Sequence, residues 1–181
     1  MKKILLTCVT AVLLMSGCVQ QKISSFSSVS QQIASKQNAF TTFNNTAYLF
    51  VYGTPTLNEY VPRGEDISNW KNLLAVELFP DYSAPQQALD SILTYLNEQG
   101  VPYQVLENRM LGMTSVNYVL ETENDVELNV WKFEKPKNWR GVIGYRMAKK
   151  FPKVDGIAQG FENKQFYINQ FLRTRTVNFI H

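Results

Sequence analysis

The stretch SVNYVLETENDVELNVWKFE, residues 115–134, decides the fold class of this chain of 181 residues. Apolar residues alternate with polar ones on both sides of a polar centre, at Val116, Tyr118 and Leu120 and again at Val126, Leu128 and Val130. Alternation with a period of two is typical of a strand that buries one face, and Glu123-Asn124-Asp125 between the two runs favours a turn. Residues 115–122 and 126–134 are therefore expected to pair as an antiparallel hairpin.

Further β-rich segments lie on both sides of this hairpin. Extended segments are predicted at residues 46–53, 58–62, 73–79, 102–108 and 142–151, where apolar and aromatic residues are bounded by Pro, Gly or Asn. Pro152 is expected to end the last of them.

Two helices are predicted, at about residues 84–99 and 156–174. The first follows Ser83-Ala84-Pro85-Gln86, a capping-box pattern in which Ser83 and Gln86 satisfy free amides, and Gly100 ends it. The second has an apolar face, but Gly156 and Gly160 weaken its first turns. Together the segments predict an α+β fold, in which an antiparallel sheet of about 5–7 strands packs both helices on one face.

The first eighteen residues have the layout of a bacterial secretory signal. Lys2 and Lys3 precede an apolar run that is too short to span a bilayer with ease. The following Met15-Ser16-Gly17-Cys18 resembles a lipobox, so the chain resembles a bacterial lipoprotein precursor. The resemblance implies cleavage before Cys18, palmitate and related acyl chains on that cysteine, and an outer-membrane anchor, since Val19 rather than Asp follows it. An uncleaved anchor, or a signal cut elsewhere, is the alternative.

The chain divides into three predicted regions. Residues 1–17 are the signal peptide, residues 18–45 are the lipidated N-terminus with a flexible tether rich in Ser and Gln, and residues 46–181 are a single globular domain. A short helix or strand within the tether that adds to the domain is the alternative for that segment.

Few groups that carry chemistry are present. The only cysteines are Cys8 and Cys18, and the only histidine is His181 at the C-terminus. A zinc site or a nucleophile activated by histidine would need more such residues in the domain. We therefore expect no enzyme, no cofactor and no metal.

Charge is segregated along the chain. Residues 46–129 contain 3 basic and 12 acidic residues, whereas residues 130–181 contain 11 basic and 3 acidic ones. We predict a patch for an anionic partner, such as lipid headgroups, lipopolysaccharide phosphates or an acidic protein face, formed by Lys132, Lys135, Lys137, Trp139, Arg140, Arg146, Lys149 and Lys150. The alternative is that the opposite charges pair between neighbouring strands of the two halves. Nucleic acid is not expected, because the chain is expected to be exported and its charge after loss of Lys2 and Lys3 is close to neutral.

These observations lead to one functional expectation. The chain is expected to be a non-enzymatic lipoprotein anchored in the outer membrane, with a periplasm-facing interaction domain that contacts an envelope protein as an accessory or assembly factor. The alternative function is a module that binds a small ligand or lipid in a cavity between the sheet and the helices.

Overall fold

The computed structural model of the chain describes residues 40–108 and 113–174. These residues form the strands β1 (Phe40–Phe43), β2 (Thr46–Gly53), β3 (Leu57–Pro62), β4 (Asn72–Phe79), β5 (Tyr103–Asn108), β6 (Met113–Glu121), β7 (Asp125–Glu134), β8 (Val142–Val154) and β9 (Ile157–Ala158), and the helices α1 (Pro85–Glu98) and α2 (Lys164–Arg173). The strands pair antiparallel in the order β1-β2-β3-β4-β8-β7-β6-β5, and β9 pairs with the end of β8. The α+β class is confirmed, and the nine strands exceed the predicted five to seven.

The predicted hairpin is confirmed as β6 and β7. Its register places Glu121 opposite Val126 at the turn end. Thr122 closes the turn, because its hydroxyl oxygen accepts hydrogen bonds from the backbone N–H groups of Asn124 at 3.2 Å and Asp125 at 3.0 Å. The two strands form the centre of one half of the sheet, next to β8.

The two helices pack on opposite faces of the sheet, so the prediction that they share one face is wrong. The α1 face buries Trp131 and Phe133 of β7 against α1, and the α2 face buries Leu128 and Val130 of the same strand against α2. Successive side chains of a strand point to opposite faces. Residues 128–133 are all buried, so this strand needs cover on both sides, as central strands do.

The start of α1 differs by one residue from the predicted capping box. The side-chain oxygen of Gln87, not of Gln86, accepts hydrogen bonds from the backbone N–H groups of Ser83 at 2.7 Å and Ala84 at 3.1 Å. Gln86 instead donates to Asp90 further along the helix. The predicted end is confirmed, since Gly100 has a φ of +65°.

The second helix begins later than predicted. Strand β8 continues through Pro152 to Val154, and a turn at Asp155 and Gly156 leads into β9. Gly160 then adopts a φ of +81° before a 3-10 turn and α2. The two glycines thus stop helical structure in a segment whose apolar spacing suggested it.

The sheet begins with Phe40 rather than near Thr46. Asn44 and Asn45, with φ values of 51° and 60°, form a tight turn that pairs β1 with β2. The strand β1 thus lies within the segment that was predicted as tether. The signal segment, Cys18 and the tether up to residue 39 lie outside the described residues. None of the described helices is long and apolar enough to cross a membrane.

Candidate functional site

The eight residues predicted as an anionic-partner patch do not lie on one surface. Lys132 and Lys149 lie on the α2 face, and Arg146 and Lys150 lie on the α1 face, as their positions in the register require. The remaining four belong to the loop between β7 and β8, where Lys135, Lys137 and Arg140 are exposed and Trp139 is half-buried. Only this loop part of the predicted patch stays together.

Lys132 is fully buried and has a structural role. Its Nζ donates hydrogen bonds to the carbonyl oxygens of Phe171 at 3.3 Å and Thr174 at 2.5 Å, at the C-terminal end of α2. A cation there complements the helix dipole and the free carbonyl groups. Burial lowers the pKa of Lys132 to about 8, and the charge of Glu134 partly opposes this. The residue thus connects β7 to the C-terminal end of α2.

The α1 face of the sheet also carries a group of polar side chains. We term it the Arg146 cluster; its members come from five neighbouring strands and are Glu59 of β3, Glu77 of β4, Tyr118 of β6, Glu127 of β7 and Arg146 of β8. The register brings them together, because Ala75 pairs with both Glu59 and Arg146, while Trp131 pairs with Arg146 from the other side.

An ion pair forms the centre of this cluster. Arg146 Nη2 lies 2.6 Å from Glu59 Oε1, and the two side chains are 18% and 13% exposed. The guanidinium group also lies 5.5 Å from the ring centre of Trp131, within the range of cation–π attraction. The Nε atom of Arg146 is buried and has no hydrogen-bond partner among the described residues. The cation is therefore fixed in place but incompletely satisfied.

Burial perturbs the ionisation of two members of the cluster, Glu77 and Tyr118. It raises the pKa of Glu77 to about 7, with Arg146 opposing and Glu59 adding to the effect. Burial likewise raises the pKa of the Tyr118 hydroxyl group. Shifted ionisation of this kind often marks a functional site, although structural networks produce it too.

The cluster ends at a buried amide and a lysine. Asn129 is 1% exposed; its Nδ2 donates to Glu127 at 2.9 Å, and its Oδ1 has no partner among residues 40–108 and 113–174. Lys150 stands opposite Glu127 in the register and lies 4.2 Å from the ring centre of Trp70. Acidic side chains from the first half of the domain thus meet basic ones from the second, as the charge-pairing alternative predicted.

The α2 face contains a cavity of about 270 Å³. We term it the Lys149 cavity; it lies between the β1–β2 turn, the end of β3, the start of β4, the middle of β8, and α2. Its lining combines aromatic, amide and charged side chains, namely Phe43, Asn44, Thr46, Tyr48, Pro62, Glu65, Asn72, Met147, Lys149, Tyr167 and Gln170.

Two charged groups face this cavity. Lys149 Nζ donates to Asn72 Oδ1 at 2.9 Å and lies 4.7 Å from the ring centre of Tyr167. Glu65 Oε2 accepts from the backbone N–H groups of Lys71 at 2.7 Å and Asn72 at 3.0 Å, which fixes the loop before β4. Burial lowers the pKa of Lys149, and burial together with Glu65 raises the pKa of Tyr48 to about 12.

Sequence reasoning missed the acids of both sites. Glu77 is the one charged residue in the apolar run Leu73–Phe79, and a lone charge in a buried strand is a signal that could have found it. Glu65 gave no such signal, because it lies in a polar loop. Within the described part of the chain, no group of three or more His, Cys, Asp or Glu side chains is arranged to hold a metal ion.

Solved structures offer two distant likenesses. One is the Ran-binding protein Mog1p of Saccharomyces cerevisiae, which is 13% identical, with a TM-score of 0.44 over 70% of this chain and 84% of that one. The other is a mutant of the protein Mog1, 12% identical, with a TM-score of 0.43 over 75% of this chain and 91% of that one. At these TM-scores neither likeness supports an inference about the chain. No curated protein matches it in sequence.

Membership of a family rests on a match to most of the folded domain. A protein-family model matches residues 42–176, a range that starts in β1 and includes all of α2. The chain therefore belongs to this family, whose function is unknown.

Proposed function

We propose that the chain is a bacterial envelope lipoprotein. The signal peptide ends at Gly17, Cys18 carries the acyl chains, and Val19 directs the protein to the outer membrane, where the domain faces the periplasm. Two or more acyl chains hold a protein firmly at a bilayer, whereas a single chain binds marginally. The tether, residues 19–39, then connects the lipid to β1.

The domain acts by binding an envelope protein, as a non-enzymatic accessory or assembly factor. The observation that carries this proposal is the Arg146 cluster, in which polar groups from five strands are held on a rigid sheet face. Glu59 and Arg146 remain partly exposed, so a partner can reach them. Charged groups on a surface of this kind contribute specificity, because a partner with the wrong charge would leave them desolvated and unpaired.

Membrane fractionation tests the anchor. Cys18→Ala is expected to move the protein from the membrane fraction to the soluble fraction, because no acyl chain can be attached. Cys8→Ala is the matched control, since that cysteine leaves with the signal peptide, and it is expected to behave as the wild type. Wild-type membrane association of Cys18→Ala would refute the lipid anchor.

Site-specific photocrosslinking in cells tests the binding face. Tyr52 stands opposite Glu59 in the register and is 37% exposed, so a photoreactive phenylalanine there would sample the Arg146 cluster. The same residue at Phe166, which is 62% exposed on α2, is the control. We expect a discrete crosslinked protein from position 52 that disappears with Arg146→Met. Equal crosslinking from both positions, or none from position 52, would contradict the proposal.

A second function, binding of a small ligand between sheet and helix, is favoured by the Lys149 cavity. Its volume of about 270 Å³ is close to the lower end of ligand sites, which is about 300 Å³. The mixed lining, with apolar walls and a few polar groups, is also typical of such sites.

A further inference from the structure

We propose that the Lys149 cavity binds a small zwitterion of the amino-acid type, with an aromatic or large apolar side chain. The proposal rests on the second function above, ligand binding between sheet and helix, and is independent of the lipid anchor and of the Arg146 cluster. Three features of the cavity lead to this ligand class: its two charged groups, its aromatic walls and its size.

Lys149 and Glu65 each have hydrogen-bonding capacity that the described residues do not use. The ammonium group of Lys149 has three donors, and among the described residues it makes one hydrogen bond, to Asn72. Glu65 Oε2 accepts two backbone N–H groups, whereas Oε1 accepts only a longer bond of 3.3 Å from Asn72 Nδ2. No ion pair within 4.0 Å joins Lys149 and Glu65, or either of them to another described residue. A ligand can therefore offer a carboxylate to one and an ammonium group to the other.

A ligand with a single charge fits this pair less well. A carboxylate near Lys149 also approaches Glu65, whose charge already acts on Lys149, and a lone cation near Glu65 approaches Lys149. Each of these ligands gains one attraction and meets one repulsion. A zwitterion gains both attractions, and the amide side chains of Asn44, Asn72 and Gln170 can accept or donate further hydrogen bonds.

The remaining lining favours an aromatic or large apolar side chain. Phe43 and Tyr48 meet edge to face, with ring centres 6.3 Å apart, and Tyr167 forms part of the opposite side together with α2. Met147 and Pro62 add apolar surface. Aromatic rings pack well in such edge-on settings.

The size of the cavity limits the ligand to about a dozen non-hydrogen atoms, the size of phenylalanine. Ligands of this size with ordinary efficiency bind at roughly millimolar concentration. The site is therefore suited to a ligand that is abundant where the protein acts.

Titration of the purified full chain, followed by NMR of the Met147 methyl group, tests the proposal. The probes are L-phenylalanine, 3-phenylpropanoate and 2-phenylethylamine, each to about 10 mM, roughly ten times the expected dissociation constant. All three carry the phenyl ring, and the second and third lack the ammonium group and the carboxylate of L-phenylalanine, respectively. L-phenylalanine is expected to give a saturable shift, and each singly charged probe is expected to bind about tenfold more weakly. The dipeptide L-phenylalanylglycine shows whether the carboxylate must lie on the same carbon as the ammonium group.

Two variants and one control complete the test. Lys149→Met removes the cation and keeps its apolar stem, and Glu65→Gln removes the charge and keeps an acceptor for the loop N–H groups. Each is expected to weaken L-phenylalanine binding about tenfold and to reduce its advantage over one singly charged probe. Lys164→Met is the matched control, since that lysine also lies over an aromatic ring, 4.7 Å from the centre of Phe161, outside the cavity.

Several results would overturn the proposal. The first is the absence of a Met147 shift with L-phenylalanine at about 10 mM, and the second is equal affinity for L-phenylalanine, 3-phenylpropanoate and 2-phenylethylamine. The third is unchanged L-phenylalanine binding in both variants, provided that thermal unfolding shows the variants to be folded. If L-phenylalanine does not bind but Cys18→Ala leaves the membrane fraction, the ligand proposal is refuted and the lipoprotein proposal stands. If L-phenylalanine binds but Cys18→Ala stays in the membrane fraction, the lipid anchor is refuted and the ligand proposal stands.

Discussion

Glu77→Gln is expected to stabilise the domain at neutral and alkaline pH. The side chain lies on the α1 face of β4, in register with Gly144, and burial raises its pKa to about 7. Glutamine keeps the shape of the side chain but cannot ionise. The other groups that act on this position, Arg146 and Glu59, are unchanged in the variant.

The expected magnitude follows from the two ionisation constants. The carboxyl group has a pKa of 4.5 in the unfolded chain and of about 7 in the folded protein, so the folded protein binds more protons between these values. The contribution of the Glu77 carboxyl group to the free energy of unfolding is therefore fully present below pH 4.5 and is lost as the pH rises through 7. A difference of this size corresponds to roughly 3 kcal/mol. Residual exposure of Glu77 reduces the expected effect to about 1–3 kcal/mol, or about 3–10 °C in Tm.

Urea denaturation of wild type and variant at several pH values measures this effect. The variant is expected to be more stable than the wild type by about 1–3 kcal/mol at pH 8, with the difference shrinking as the pH approaches 4.5. Glu98→Gln, at an exposed position on α1, is the control and is expected to change stability by at most about 0.5 kcal/mol. A difference for Glu77→Gln that does not depend on pH, or a loss of stability at pH 8, would refute the reasoning.

Three further substitutions test other parts of the structure. Lys132→Ala removes the buried donor to the C-terminal carbonyl groups of α2 and should cost about 2–4 kcal/mol in urea denaturation, with loss of helix signal in circular dichroism; unchanged stability would refute the capping role. Arg146→Met leaves Glu59 without its partner and should cost about 2–4 kcal/mol, part of which Glu59→Leu should restore in a double-mutant cycle. Gly141→Ala places a Cβ 2.6 Å from Cζ2 of Trp139 and should lower Tm by several degrees, corresponding to about 1–3 kcal/mol; a higher Tm would show that the loop has room to move.

The strands and the first helix could be predicted from local patterns. The alternation around residues 116–130 and the helix stop at Gly100 are properties of short segments. The structure has the hairpin and the end of the first helix where these patterns place them. The faces that the helices cover depend instead on long-range pairing. One local sign was present, since VWKF at residues 130–133 does not alternate as a strand with one buried face should.

Lys132 explains why the predicted patch did not form one surface. The patch prediction requires an exposed Lys132, which is the usual state because lysine is seldom fully buried. The exposure of Lys132 depends on α2, which follows β8 after residues 155–163 and packs over β7. Neighbouring cations of β8 then alternate between faces, with Arg146 on one and Lys149 on the other. Charge counts along a sequence carry no information about this alternation unless the strand has been placed first.

The two candidate sites differ in how far the sequence could predict them. The Arg146 cluster consists of acids from the first half of the domain and a cation from the second, and the charge segregation along the sequence allows such pairing between the halves. The Lys149 cavity depends on β1 and its turn at Asn44 and Asn45, in a segment that the sequence assigned to the tether. The lining residues of the cavity come together only through the pairing of β1 with β2, which is a long-range property of the fold.

The mass of the N-terminal peptide of the protein, purified from membranes, tests the central claim most directly. The account expects a peptide that begins at Cys18 and carries a mass increase equal to a diacylglyceryl group with or without an N-acyl chain. A peptide that begins upstream of Cys18, or an unmodified Cys18, would contradict the lipid anchor and the envelope function built on it.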